Sequence, residues 1–147
     1  MEKIKKFWKE LSVFGIVLIC ILGLYIYRLA VTADISAISS EKVISKIEDG
    51  DSFVVFTGSA SSTNTVTYQT TVETYLKKNR SATIYYVNLD DVDDADNFVK
   101  SYLGEYSADL SNPHTYVFIN GELTTTRDGA LGYYTLDKTM NAFNEAK

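Results

Sequence analysis

The segment Ser59-Ala60-Ser61-Ser62-Thr63-Asn64-Thr65 follows an apolar run, Phe53-Val54-Val55-Phe56-Thr57-Gly58, and leads into a helical pattern that begins near Val66. Its polar side chains are hydroxyls and one carboxamide; it has no Cys, His, Lys, Arg, Asp or Glu. A strand that stops at glycine and passes through a small polar loop into a helix makes a corner. There, unpaired N–H groups and the positive end of the helix dipole can receive a ligand. Such a corner can hold an acceptor through its main chain, but it has no obvious carrier of redox, metal or acid–base chemistry.

The single histidine, His114, follows the single proline, Pro113, which Asn112 precedes. Were this segment folded against the corner, His114 could act as base toward Ser61 or Ser62, with the helix start as oxyanion hole. No nucleophile elbow accompanies these serines and no orienting acid is identifiable, so a surface histidine opening a strand is the plainer expectation. Asp90, Asp91, Asp93, Asp94 and Asp96 are hard-oxygen ligands of the type calcium takes. They lack the EF-hand spacing, an internal glycine and a closing glutamate, and they suit the N-terminus of the helix that follows. No metal or cofactor is implied.

The elements that must position these residues read in order. Ser39 and Ser40 offer N-caps for a helix with Val43, Ile44 and Ile47 on one face, leading into a strand from Ser52 to Thr57. Val72, Tyr75 and Leu76 recur at helical spacing up to Lys78, and Ala82 to Val87 is rich in β-formers. Phe98, Val99, Tyr102 and Leu103 make the next helical face. Thr115 to Asn120 is a strand, Gly121 turns it into Glu122–Arg127 as a hairpin, and a helix follows from Thr135. A βαβ half followed by a ββα half predicts an α/β domain with one mixed sheet flanked by helices.

One N-terminal transmembrane helix precedes that domain. Leu11 to Tyr27 carries no charge, and counted through Val31 the helix reaches the ~30 Å of a hydrocarbon core. Lys3, Lys5, Lys6 and Lys9 place the N-terminus in the cytoplasm by the positive-inside rule. Val31-Thr32-Ala33 has signal-peptidase spacing, but the apolar region exceeds the usual ~7–15 residues and Arg28 interrupts it, so an uncleaved anchor is favoured. The organisation expected is a cytoplasmic stub (1–10), a transmembrane helix (11–31), a polar tether (32–38) and an extracytoplasmic domain (39–147), giving a single-pass protein of the cell membrane.

Of the 14 Lys and Arg, five precede Thr32, as do two of the 19 Asp and Glu. The outer domain therefore holds nine cations against seventeen acids, which excludes nucleic acid as a partner on electrostatic grounds. Cys20, the only cysteine, lies in the apolar segment, so no disulfide can form within the outer domain.

From Ser39 to Lys147 the chain resembles the thioredoxin-like superfamily. The features that carry this are the strand Phe53–Thr57 entering a loop and helix, Ile84-Tyr85-Tyr86-Val87-Asn88 followed by Asp90, Pro113 before an apolar strand, the Phe118-Ile119-Asn120-Gly121-Glu122 hairpin and a closing helix. Within it, the chain looks most like the membrane-anchored bacteriocin transport accessory proteins of Gram-positive bacteria. There a similar strand and glycine lead into Cys-x-x-Cys. Here the corresponding positions are Ser62, Thr63, Asn64 and Thr65, so the resemblance implies the fold and a binding surface but not thiol–disulfide exchange, which needs a thiolate. It also implies a cis Pro113 lying against the loop, with Asn112 presenting backbone groups to an extended peptide. The expected function is noncovalent binding of a peptide or protein partner over Ser61–Thr65 and Asn112–His114. The alternatives are an oxidoreductase whose cysteines were replaced, by nature or design, and a structural membrane subunit acting through its helix.

Overall fold

The computed structural model describes residues 2–31, 35–104 and 110–147. The chain divides into two units, Met1–Ala33 and Asp34–Lys147. The first contains α1, Glu2–Val31, of which Glu2–Tyr27 is long and apolar enough to cross a membrane. Its large apolar side chains, from Ile4 to Tyr27, are exposed.

The second unit runs β1 (Ser36–Ala37), α2 (Ser40–Glu48), β2 (Phe53–Gly58), α3 (Thr63–Lys78), β3 (Tyr85–Asn88), a 3-10 turn (Leu89–Asp91), α4 (Ala95–Tyr102), β4 (His114–Ile119), β5 (Glu122–Asp128) and α5 (Tyr133–Ala146). The strands form one sheet in the order β1-β3-β2-β4-β5; β1 and β2 lie parallel to β3, and β4 is antiparallel to both β2 and β5. This is the mixed, helix-flanked sheet that the sequence predicts. Ser39 caps α2 as expected, its hydroxyl accepting from the Lys42 N–H at 3.2 Å.

Four boundaries differ from the expectation. Part of the tether is strand β1, held on the β3 edge by Ser36 N–H to the Ile84 carbonyl and Ile38 N–H to the Tyr86 carbonyl. A two-residue edge strand has no periodicity to read; residues 32–34 of the same tether lie outside the described residues. α3 starts at Thr63 rather than near Val66, because its first turn is polar and Val66 is exposed while Thr65 and Tyr68 are buried. The strand expected over Ala82–Val87 is Tyr85–Asn88, and α5 starts two residues ahead of Thr135.

Every residue of β2 is buried, as suits the central strand of a sheet covered on both faces. One face packs Phe53, Val55, Tyr116 and Phe118 against Val43 of α2 and Phe98 and Val99 of α4; Phe53 and Phe118 stack at 4.8 Å. On the other, Phe56 meets Tyr68 of α3 edge-on at 4.9 Å and Tyr86 at 4.8 Å.

Three core tyrosines make a pH prediction. Burial pushes the hydroxyls of Tyr68, Tyr86 and Tyr116 up to about 12. The Thr115 hydroxyl partly offsets this at Tyr68, and the charges of Asp90 and Asp91 reinforce it at Tyr86. A folded value raised above the unfolded ~10 gives stability that is complete below about pH 10 and lost as pH rises through 12. Alkaline titration followed at 295 nm should show three tyrosines ionising near pH 12, together with loss of the circular dichroism signal. Ionisation of all eleven tyrosines before any loss of that signal would contradict it.

Candidate functional site

Residues 59–62 turn the chain from β2 into α3. The Ser62 N–H donates to the Ser59 carbonyl at 3.0 Å and the Val66 N–H to the Ser62 carbonyl at 3.1 Å, which makes Ser62 the residue that opens the helix. Its hydroxyl makes no capping bond, and the first turn of α3 contains no acid. The leading N–H groups of the helix therefore lack a side-chain cap and retain their partial positive charge. Ser61, Thr63 and Asn64 are exposed, Ser62 is half-buried and Thr65 is fully buried.

The segment before β4 forms the opposite wall. The Ser111 carbonyl accepts from the Ser59 N–H at 3.1 Å and from the Thr65 hydroxyl at 3.1 Å. Asn64 Nδ2 donates to Asn112 Oδ1 at 2.9 Å, joining the first turn of α3 to the residue before Pro113. A Cβ placed on Gly58 would only touch Pro113 Cα, at 3.4 Å, but would run into the Thr65 side chain, so hydrogen at that position lets β2 and the first turn of α3 close beside Pro113. Ser61, Ser62, Thr63, Asn64 and Thr65 thus come together with Asn112 and Pro113.

Two expectations are corrected here. No cis peptide bond occurs among the described residues, so Asn112–Pro113 is trans. Trans is the ground state of an X-Pro bond by ~0.5–1 kcal/mol, and here the Ser111 and Pro113 carbonyls are held by Ser59, Thr65 and Gly129 in that geometry. His114 is not at the surface but 2% exposed, aligned in the sheet between Thr57 and Asp128, with Nδ1 3.7 Å from the Asp128 carboxylate. Strand parity removes it from the corner: Thr115 hydrogen-bonds Tyr68 of α3 at 2.8 Å, so Thr115 faces α3 and His114 faces the other side of the sheet. A Ser–His pair with Ser62 is not formed by this geometry.

A contact between distant parts of the sequence completes the site. The Ser59 hydroxyl lies 2.9 and 2.8 Å from the two Asp90 carboxylate oxygens and 2.8 Å from the Ser61 hydroxyl. Asn88 Oδ1 accepts from the Ala60 and Asp90 N–H groups. Asp90 therefore anchors the loop, whereas Asp94 caps α4 by accepting from Asn97 N–H at 3.1 Å. Sequence reasoning treated the five aspartates as one capping group; an acid 31 positions from its serine carries no signal in local spacing.

No protein-family description matches the chain, and no curated protein matches it. Solved structures do. Chloroplastic thioredoxin z is 12% identical with a TM-score of 0.60, covering 77% of this chain and 96% of its own. The thioredoxin of Trypanosoma brucei brucei is 12% identical with a TM-score of 0.59, covering 76% and 92%. That of Fasciola hepatica is 17% identical with a TM-score of 0.55, covering 74% and 99%. The second unit has the thioredoxin fold.

Proposed function

We propose that the chain is a membrane-anchored, redox-inactive thioredoxin-like accessory protein that binds a peptide or protein partner noncovalently at the cell envelope. The observation that carries this reading is the corner itself. An uncapped α3 start is locked to Ser111-Asn112-Pro113 by the Asn64–Asn112 and Thr65–Ser111 hydrogen bonds, with hydroxyls at the places where exchange chemistry would need thiols. Helix amides and the carboxamides of Asn64 and Asn112 suit the carbonyls and amides of an extended chain. Cys20 lies in α1 and gives the corner no sulfur. The long apolar helix and the basic residues at its N-terminal end support an N-in anchor, and the pattern of motifs supports kinship with bacteriocin transport accessory proteins.

The test is a photoreactive side chain introduced at Ser62 in intact cells. Discrete protein adducts are expected, absent when the same group is placed at exposed Tyr134 and reduced at least roughly tenfold by Asn112→Trp, which sets an indole where Asn112 meets Asn64. Equal labelling from both positions, or turnover of insulin disulfides by the unmodified protein, would overturn the reading. The exposed apolar surface of α1 favours a second role, as a subunit held in a complex by its helix. Exchange of α1 for an unrelated span separates the two, since partner capture at Ser62 survives it only if the corner does the binding.

A further inference from the structure

β5 is an edge of the sheet, so alternate N–H and C=O groups along Glu122–Asp128 face outward with no neighbouring strand among the described residues. Beside it lies a groove of about 350 Å³ between the sheet and α5. Val117, Ile119, Ala142 and Phe143 give it an apolar floor, and Arg127 and Lys138 stand at its rim. Both cations are exposed and neither is ion-paired with a described residue. Lys147 Nζ sits 5.1 Å from the Phe143 ring centroid. No acid among the described residues lines the groove, although acids outnumber cations seventeen to nine from Thr32 onward.

We infer that this edge and groove form a second docking site, distinct from the α3 corner, for an extended acidic–apolar peptide segment. Such a segment would pair with β5 as an added strand, and the alternate side chains it presents on the α5 face would combine a carboxylate for Arg127 and Lys138 with apolar groups for Val117 and Phe143. The edge favours a peptide over an anionic lipid, because only a peptide can use the outward main-chain groups. A second copy of this chain is disfavoured, since pairing two β5 edges antiparallel about Thr125 would set Glu122 against Asp128.

The full chain in phosphatidylcholine nanodiscs is titrated against fluorescein-labelled Val-Thr-Glu-Thr-Val and Val-Thr-Lys-Thr-Val, whose first, third and fifth side chains share one face, read by anisotropy and by amide hydrogen exchange. The acidic peptide is expected to bind at least about tenfold more tightly than the basic one and to slow exchange along β5. Arg127→Gln with Lys138→Gln should weaken it roughly tenfold, and Arg127→Lys with Lys138→Arg should restore most of that. Equal affinity for both peptides, no binding at millimolar peptide, or indifference to the charge-removing variant would overturn the inference. So would palmitate competing as well as the acidic peptide, or β5 protection that grows with protein concentration in the absence of peptide.

Discussion

Gly58→Ala is expected to destabilise the domain by about 2–4 kcal/mol and to abolish partner capture at Ser62, and Thr65→Ala is expected to reverse much of that loss. A Cβ on Gly58 would meet Thr65 Oγ1 at 2.5 Å and Thr65 Cγ2 at 3.1 Å. Thr65 is fully buried and holds the Ser111 carbonyl, so its side chain can yield only by giving up that bond. Overpacking and the lost hydrogen bond both oppose the modest gain, about 0.4–1 kcal/mol, from restricting a glycine in the unfolded chain. Alone, Thr65→Ala should cost about 1–2 kcal/mol, for the hydroxyl and the small void it leaves. In the Gly58→Ala background the same substitution vacates the space the new methyl needs, so its effect changes sign. Urea unfolding of the two single variants and the double variant measures this coupling. Strict additivity would mean that Gly58 is not what lets β2 and α3 close on Pro113.

The parts of this fold legible in the sequence are those whose side chains repeat. β2 and β4 are apolar runs bounded by glycine and proline, and the hairpin has its glycine at the turn, with Gly121 at φ 80°. The faces of α2 and α4 show as Val43 and as Phe98 and Val99, all buried. β1 was not legible, because its two residues join the sheet through main-chain bonds that leave no pattern. At the site, the pairing of the α3 start with Asn112 and Pro113 was legible only through the family resemblance. The side of the sheet that His114 faces depends on a single residue of register, so adjacency to Pro113 placed it on the wrong face. Asp90 was visible as an acid but not as the partner of Ser59, and the trans Pro113 departs from what the resemblance implies.

That departure bears on the second large effect, in Ser62→Cys with Thr65→Cys. The two positions are three apart at the start of α3, where Cα atoms fall within the 4.4–6.8 Å that a disulfide spans. The thiol at position 62 would face uncapped helix amides with no acid in the first turn, which lowers its pKa. The Asp90 carboxylate bound to Ser59 would act against that. We expect the double variant to form an intramolecular disulfide and, with dithiothreitol as electron donor, to catalyse insulin reduction above the uncatalysed rate, while the parent and each single variant do not, a change from none to measurable turnover. A cysteine at position 65 gives up the hydroxyl bond to the Ser111 carbonyl, so the reduced form should be less stable than the parent by about 1 kcal/mol. Disulfide formation without turnover would place the block at the trans Asn112–Pro113 wall rather than at the missing sulfur, because a corner that cannot align a substrate strand cannot exchange with it. Turnover would mean that the wall still aligns a chain, and that two hydroxyls in place of two thiols are what keep this protein from oxidoreductase chemistry.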